Sequence, residues 1–204
     1  MAEPARGPGR PRDNSISERA LTATRELLVE RGFEATTIQA VAEHSGVHAS
    51  AIYRRWSSRI ELIEEATFPG LNPVSVRPAG DLRRDMSRFV RAYLGAFSAP
   101  AARAATAGLI AHHQTSGRSR PPELYLRVSA RPQFREILSA APPGTVDPAV
   151  DPDDVFDMLL GAVLSRTLLA DAAAPQRPVG RTVDMILRLL RPLEGDGAGA
   201  GGRQ

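Results

Sequence analysis

Residues 26–65 decide the fold, and they read ELLVERGFEATTIQAVAEHSGVHASAIYRRWSSRIELIEE. Apolar residues recur here at three- and four-residue steps, which predicts helices rather than strands. One short helix is expected to run up to about His44, with a threonine as its cap. The next is expected from about His48 to Trp56, and Gly46 supplies the turn between them. Two short helices around a glycine turn predict a helix-turn-helix.

The second of these helices has an outer face suited to DNA. Helical geometry places Ser50, Tyr53 and Arg54 on the side away from Ile52, with Ala49 at the edge. Small, polar and cationic side chains on one helix face fit the major groove. A structural corner in an all-α enzyme would produce the same pair of helices, so the corner alone leaves both functions open.

The quoted segment closely resembles the DNA-binding domain of TetR-family transcriptional regulators. The resemblance is carried by Gly32-Phe33, Thr36-Thr37, Val41-Ala42, Ser45-Gly46-Val47, Ile52-Tyr53, Trp56 and Arg59 before Ile60-Glu61-Leu62. It implies an all-α protein of about nine helices. An N-terminal three-helix helix-turn-helix domain is expected at residues 16–68, and a C-terminal helical ligand-binding and dimerisation domain at residues 81–194.

The resemblance also implies DNA contacts. Gln39 lies where some members touch a base edge, and a bidentate contact to adenine is the chemical expectation for this side chain. Ala49 and Ser50 are the expected base-edge positions. His48 replaces the small residue usual in the family, and it contacts a phosphate or simply takes over the cap. The residues expected to hold phosphates are Thr37, Tyr53, Arg54 and Arg59.

Two arginines keep two interpretations each. Arg59 stands where the family usually has Lys, and it would reach a phosphate or shield the fourth helix. Arg55 lies near the inner face, where an internal salt bridge and a phosphate contact are equally expected.

The N-terminal segment, residues 1–15, holds Pro, Gly and Arg with almost nothing apolar, which predicts a disordered basic arm. Its tetrapeptide GRPR, at 9–12, resembles an AT-hook core that lies in a narrow minor groove. Arg6, Arg10 and Arg12 are therefore candidate DNA contacts, and a solvated tail is the alternative.

Glycine marks two further boundaries. The first helix is expected from about Ser17 to Arg31, with Gly32 ending it. The segment GDGAGAGGRQ, residues 195–204, predicts a disordered tail.

Composition excludes several classes of chemistry. The chain has 204 residues and no Cys, which excludes disulfide scaffolds, Cys-ligated zinc and thiol catalysis. All 26 basic residues are Arg, so Schiff-base and P-loop lysines are excluded. A GC-rich genome explains most of this arginine bias, and the net charge is only +3. No nucleophile–base motif, metal quartet or glycine-rich phosphate loop is visible, so neither an enzyme nor a cofactor is predicted.

The C-terminal half predicts a small-molecule site. A long amphipathic helix begins at about Asp81, and aromatic residues recur along this half of the chain. His112 and His113 form a polar pair on an otherwise apolar helix, where one of them is expected to hydrogen-bond a ligand rather than a metal. The candidate pocket residues are Phe89, Tyr93, Phe97, His112, His113, Tyr125, Phe134 and Met158.

The last two helices are apolar on more than one face. The first begins at Asp151-Pro152, a strong start signal. A helix pair that needs burial on two sides requires a thick core or a second subunit. The candidate dimerisation residues are Phe156, Leu160, Val163, Leu164, Ile186, Leu189 and Leu190.

These features predict a ligand-responsive regulator. It is expected to be a homodimeric repressor that binds double-stranded DNA at a palindromic operator and is released by a small hydrophobic or aromatic effector. An activator would have the same fold. The alternatives are an architectural minor-groove binder without effector and an all-α enzyme. No signal peptide or spanning segment is visible, so a cytoplasmic protein without a membrane partner is expected.

Overall fold

The computed structural model describes residues 12–68, 75–115, 130–169 and 178–192, with side chains from Asn14 onward. Every regular element in these stretches is helical, and they contain nine α-helices, as predicted. The α-helices are α1 (Arg12–Ala35), α2 (Ile38–Ser45), α3 (Ala49–Tyr53), α4 (Arg59–Thr67), α5 (Leu82–Ser98), α6 (Pro100–Thr115), α7 (Arg131–Ser139), α8 (Pro152–Leu164) and α9 (Val179–Leu189). A π-helical turn, Ser165–Leu169, follows α8. None of the described helices has the length and apolar surface that a bilayer crossing requires.

The helices group into two compact units. The first contains α1–α4 and α6, and the second contains α5 and α7–α9. The sequence predicts residues 81–194 as one domain, whereas α6 groups with α1–α4 in the structure. Helix α6 belongs to the first unit because it packs against α1 and α4.

Helix α1 supports the first unit. It begins at Arg12, earlier than the start predicted near Ser17, so the helix includes the last residues of the segment expected to be disordered. Gly32 has φ 77°, and regular helix breaks there, at the predicted end. The core that α1 shares with α2–α4 includes Leu27, Val41, Ile52, Trp56 and Leu62.

The turn between α2 and α3 forms as predicted. Thr37 caps α2, since its side-chain oxygen accepts a hydrogen bond from the backbone N–H of Ala40 at 3.1 Å. Gly46 ends α2 with φ 64° and ψ 22°, in the left-handed region. A Cβ atom at Gly46 would also lie 2.9 Å from the Arg19 guanidinium. Backbone conformation and crowding therefore both favour glycine at this turn.

Small residues allow α6 to pack closely against α1 and α4. Gly108 lies so close to the Phe33 ring of α1 that a methyl group at Gly108 would overlap it. The buried cluster that joins α6 to α1 and α4 consists of Leu28, Phe33, Ile63, Ala101, Ala105 and Leu109.

Aromatic rings form the centre of the second unit. The ring centroid of Phe134 lies 5.6 Å from that of Phe89 and 5.7 Å from that of Phe156. Tyr93 lies 5.6 Å from Phe156. All four side chains are buried, and the tilted and edge-on arrangements are those that aromatic pairs favour. The rings therefore fill the space between α5, α7 and α8.

Side chains of α5 and α7 hold the irregular segment that precedes α5. The Asp85 carboxylate accepts hydrogen bonds from the backbone N–H groups of Ala79, at 2.7 Å, and Gly80, at 3.1 Å. Arg88 donates to the carbonyl of Arg77 at 2.6 Å. Asp85 is 1% exposed and also pairs with Arg88, so this segment is tied to the unit by a buried carboxylate.

Asp85 should make the stability of the second unit depend on pH. Burial raises the pKa of Asp85, but the hydrogen bonds from Ala79, Arg88 and Gly80 and the charge of Arg88 outweigh it and lower the pKa below its ordinary value of 3.8. A lowered pKa stabilises the fold above pH 3.8, and this stabilisation is lost as the pH falls below that value. We expect Asp85→Asn to lower the free energy of unfolding by about 2 kcal/mol at pH 7, measured by urea denaturation.

The difference between wild type and Asp85→Asn should shrink when unfolding is repeated at pH 3 or below. Asp154→Asn removes an exposed acid of α8 and serves as the matched control, with little expected loss. An equal loss of stability in both variants would contradict the prediction.

Candidate DNA-binding surface

Helix α3 presents the outer face that its sequence predicts. Ala51 and Ile52 are buried, whereas Ser50 and Arg54 are exposed and Tyr53 is 58% exposed. Ala49 is half-buried at the edge of this face. The support below the face is rigid because its apolar side lies in the core of the first unit.

His48 starts α3. It is the N-cap residue, with φ −59° and ψ 135°, but its side chain makes no capping hydrogen bond. The side chain is exposed. His48 thus occupies the cap position without performing the side-chain function of a cap, which leaves the imidazole available to another group.

The N-terminus of α2 adds a second exposed edge. Thr37 and Gln39 are both exposed there. The Thr37 hydroxyl accepts the capping bond from Ala40, so its own hydrogen can still be donated. Gln39 Nε2 donates to Glu43 Oε1 at 2.9 Å. The backbone N–H groups and dipole of this helix end favour an anion such as phosphate.

Two arginines join the helix-turn-helix to α1. Arg19 of α1 donates from a guanidinium nitrogen to the carbonyl of Ser45, at the end of α2. Arg55, which follows α3, donates from Nε to Ser17 Oγ of α1 at 2.7 Å, which favours the internal interpretation. Sequence reasoning missed Arg19, because its partner is a backbone carbonyl that only the folded chain brings near.

Arg59 binds the C-terminal end of α1. Its guanidinium donates to the carbonyls of Phe33, at 3.0 Å, and Glu34, at 3.1 Å. It also stacks on the Phe33 ring, 4.6 Å from the centroid. Arg59 therefore closes the C-terminal end of α1, and its contact with a phosphate stays a prediction.

The angle between α3 and α4 is also fixed by polar contacts. The indole Nε1 of the buried Trp56 donates to Glu65 at 2.7 Å. Ser58 caps α4, with its Oγ accepting from the N–H of Glu61 at 3.1 Å, and the Glu61 carboxylate accepts in return from the N–H of Ser57. This arrangement is similar to a capping box, with the carboxylate bound one residue before the N-cap, and it sets where α4 begins.

Several predicted site residues lie outside the described part of the structure. They are Arg6, Arg10, the side chain of Arg12, and Tyr125. Their proposed contacts with DNA or ligand stay predictions.

The candidate pocket residues separate into three groups. Phe89, Tyr93 and Phe134 are buried in the aromatic cluster and pack against one another, with Phe97 half-buried beside Tyr93 at 5.1 Å. These rings are packed core in the structure, and their contact with a ligand stays a prediction. The other described candidates, His112, His113 and Met158, lie outside this aromatic cluster.

His112 and His113 belong to the first unit and not to the predicted ligand domain. His113 Nε2 contacts Glu64 Oε1 at 2.8 Å, which ties α6 to α4, and His112 is exposed. Met158 is 60% exposed and faces solvent rather than a core pocket. No cluster of three or more potential metal ligands occurs among the described residues.

The predicted dimerisation residues differ in how exposed they are in the single chain. Phe156, Val163, Ile186 and Leu190 are at most 3% exposed in the core of their own unit, so a second chain cannot reach them. Leu160 and Leu164 are half-buried. Only Leu189, at 43%, is exposed.

The large apolar side chains exposed on α8 and α9 include one predicted dimerisation residue, Leu189, and two others. Met158 of α8 and Met185 of α9 are 60% and 64% exposed, and Leu189 lies one helical turn after Met185. Sequence reasoning did not single out Met185, because both sides of α9 are apolar.

The fold and the exposed face of α3 define a helix-turn-helix protein of the kind that binds DNA in the major groove. Residues 20–66 match the family described as bacterial regulatory proteins, tetR family. Residues 76–186, more than half of the chain, match the tetracyclin repressor-like C-terminal domain. The chain belongs to the TetR family of transcriptional regulators, and its helix-turn-helix is the DNA-binding part. The family and the relatives found are transcriptional regulators and not enzymes.

Individual relatives agree with this assignment. An uncharacterized HTH-type transcriptional regulator of Mycobacterium bovis is 25% identical over 198 residues, which covers 88% of each chain. The crystal structure of a TetR-family transcriptional regulator from Haemophilus influenzae has a TM-score of 0.62 at 12% identity and covers 90% of this chain and 100% of its own. The TetR family regulator SCO0332 has a TM-score of 0.60 at 24% identity, with 87% and 100% covered. These two structures show the same fold.

Proposed function

We propose that this regulator is a homodimeric repressor that binds a palindromic operator and is released by a small apolar or aromatic effector. The observation that carries the DNA-binding part is the α3 face, with small, polar and cationic side chains exposed on a helix whose other side is buried. The proposed contacts are Thr37, Gln39, His48, Ala49, Ser50, Tyr53 and Arg54. Such a protein would act in the cytoplasm, where operator DNA is accessible.

The contacts divide by chemistry. Ala49 and Ser50 are small enough to let the α3 backbone approach the base edges, and the methyl of Ala49 suits a thymine methyl. Tyr53 and Arg54 project from the same face and suit phosphates on either side of the groove. Phosphate contacts supply affinity and register, while base-edge contacts supply specificity.

The homodimer is supported by the exposed face of α8 and α9. Met158, Met185 and Leu189 expose apolar side chains on two helices that pack together in the second unit. Apolar side chains exposed on two packed helices suit burial against a second copy, and most homo-oligomers of soluble proteins are two-fold dimers. Two copies of α3 would then read two half-sites, which requires a palindrome.

The effector is proposed to be apolar because the second unit offers mainly aromatic and aliphatic side chains. Tyr93 contributes a polar tip within the aromatic cluster. An effector would act by favouring a dimer state that does not match the operator.

The main test is selection of bound duplexes from a random DNA library with the full-length protein, followed by a release screen with small apolar and aromatic compounds. A repressor should enrich one short palindrome. An A/T-rich sequence without symmetry would instead support the architectural alternative, and no enrichment at all would overturn the proposal.

Arg54→Ala should weaken binding to the selected palindrome about tenfold and reduce the salt slope of the affinity by about one, because one phosphate contact is lost. Titrations at several salt concentrations measure both quantities. Arg31→Ala removes one charge from an exposed position of α1 and is the matched control. An Arg54→Ala slope equal to that of wild type would show that Arg54 contacts no phosphate.

A further inference from the structure

Gln39 and Glu43 lie one turn apart on the exposed side of α2, and Gln39 Nε2 donates to Glu43 Oε1 at 2.9 Å. The opposite side of α2, with Ile38 and Val41, is buried. The pair therefore lies on the exposed edge next to Thr37, beside the proposed DNA contacts. Among the described residues Glu43 makes no ion pair, and its hydrogen-bond partner is Gln39.

The hydrogen bond determines which way the Gln39 amide points. An ionised carboxylate can only accept hydrogen bonds, so it must face the amide nitrogen of Gln39. The two ends of a glutamine amide are otherwise easily exchanged. With its nitrogen held by Glu43, Gln39 turns Oε1 away as an acceptor and keeps one N–H as a donor.

This arrangement discriminates between bases. Guanine presents two acceptors in the major groove, and an outward carbonyl oxygen would face them without a hydrogen bond. Adenine presents the N6 amino donor beside the N7 acceptor, which complements the free Oε1 and N–H of Gln39. We propose that Glu43 is a positioning residue that holds Gln39 to recognise the amino group of adenine in the operator.

The charge of Glu43 supports this role. A carboxylate beside the proposed DNA-binding edge repels phosphates and lowers affinity for every duplex alike. Its loss should therefore have two opposite effects, which are stronger binding to unrelated DNA and weaker preference at one base pair. A surface acid without a role at the DNA edge would change neither.

The inference rests on the proposed operator binding, and the experiment separates the two. Duplexes are selected from a random library with wild type, Gln39→Ala, Glu43→Gln and Glu30→Gln, all full-length. Glu30→Gln makes the same charge change at an exposed position of α1 and leaves the Gln39–Glu43 bond in place. The position whose preference disappears in Gln39→Ala is the base pair that Gln39 contacts.

We expect adenine at that position for wild type and Glu30→Gln, and a three- to tenfold smaller preference for Glu43→Gln, the range expected when a side chain is no longer held in place. Glu43→Gln should also bind unrelated DNA more tightly. Replacing that adenine by purine, which lacks the 6-amino group, should weaken wild type about tenfold and Glu43→Gln clearly less.

Each other outcome is decisive. Another base at that position, an unchanged adenine preference in Glu43→Gln, or no position affected by Gln39→Ala would overturn the inference while operator binding stands. Failure of wild type to enrich any sequence would overturn the proposed function itself.

Discussion

Gly108→Ala is expected to lower the free energy of unfolding by about 3 kcal/mol, one of the largest losses available to a single methyl group in this chain. Three atoms of the Phe33 ring occupy the space that the new Cβ would need. Phe33 cannot easily move away, because it is buried against α6 and the Arg59 guanidinium stacks on it. The expected loss corresponds to a fall in melting temperature of about 6–12 °C.

Gly95→Ala is the matched control, since a Cβ there meets nothing within 4 Å. Glycine in a helix interior is unfavourable relative to alanine, so this control should be neutral or stabilising by up to about 1 kcal/mol. Phe33→Leu should relieve part of the overlap, and the double variant should be more stable than Gly108→Ala alone. Equal melting temperatures for Gly108→Ala and Gly95→Ala would refute the close contact.

The same contact shows why the domain boundary could not be predicted. Helix α6 is rich in Ala and Gly, so its pattern does not indicate which neighbour it needs. Its partner Phe33 is distant in sequence, and only the folded chain shows that Gly108 accommodates this ring. The sequence therefore predicts a helix at the correct place but not its packing against α1 and α4.

The helix-turn-helix was predictable because its signals are local. Thr37 caps α2 and Gly46 has the positive φ that the turn requires, and both properties belong to single residues with short-range partners. Arg59 is the exception within this segment. Its partners are the carbonyls of Phe33 and Glu34 at the end of α1, which are distant in sequence and are brought near only by the fold.

Burial in the last two helices was not predictable for a different reason. Ile186 and Met185 are adjacent apolar residues, yet the first is 3% exposed and the second 64%. Hydrophobic character alone does not distinguish a side chain that is buried in the core from one that is exposed on the surface. The packing of α9 against α5 and α8 makes that distinction.

The double variant Met158→Glu with Met185→Glu is expected to be monomeric, with a molecular mass near 21.9 kDa in sedimentation or light scattering. Both side chains are exposed within the single chain, so the charges should leave its own fold intact. In a dimer that buries this face, two unpaired carboxylates per chain would be desolvated at a cost of several kcal/mol. Circular dichroism and the melting temperature of the monomer check that folding is retained.

Loss of the dimer should weaken operator binding by at least about 100-fold. In a dimer, binding of one half-site holds the second DNA-binding domain at a high effective concentration near the other half-site, and a monomer lacks this advantage. Val29→Glu with Ile110→Glu introduces the same two charges at exposed apolar positions of the first unit and is the matched control. A double variant that stays dimeric would place the dimer interface on another surface. A folded monomer that keeps wild-type affinity for the palindrome would show instead that operator binding does not depend on pairing through α8 and α9.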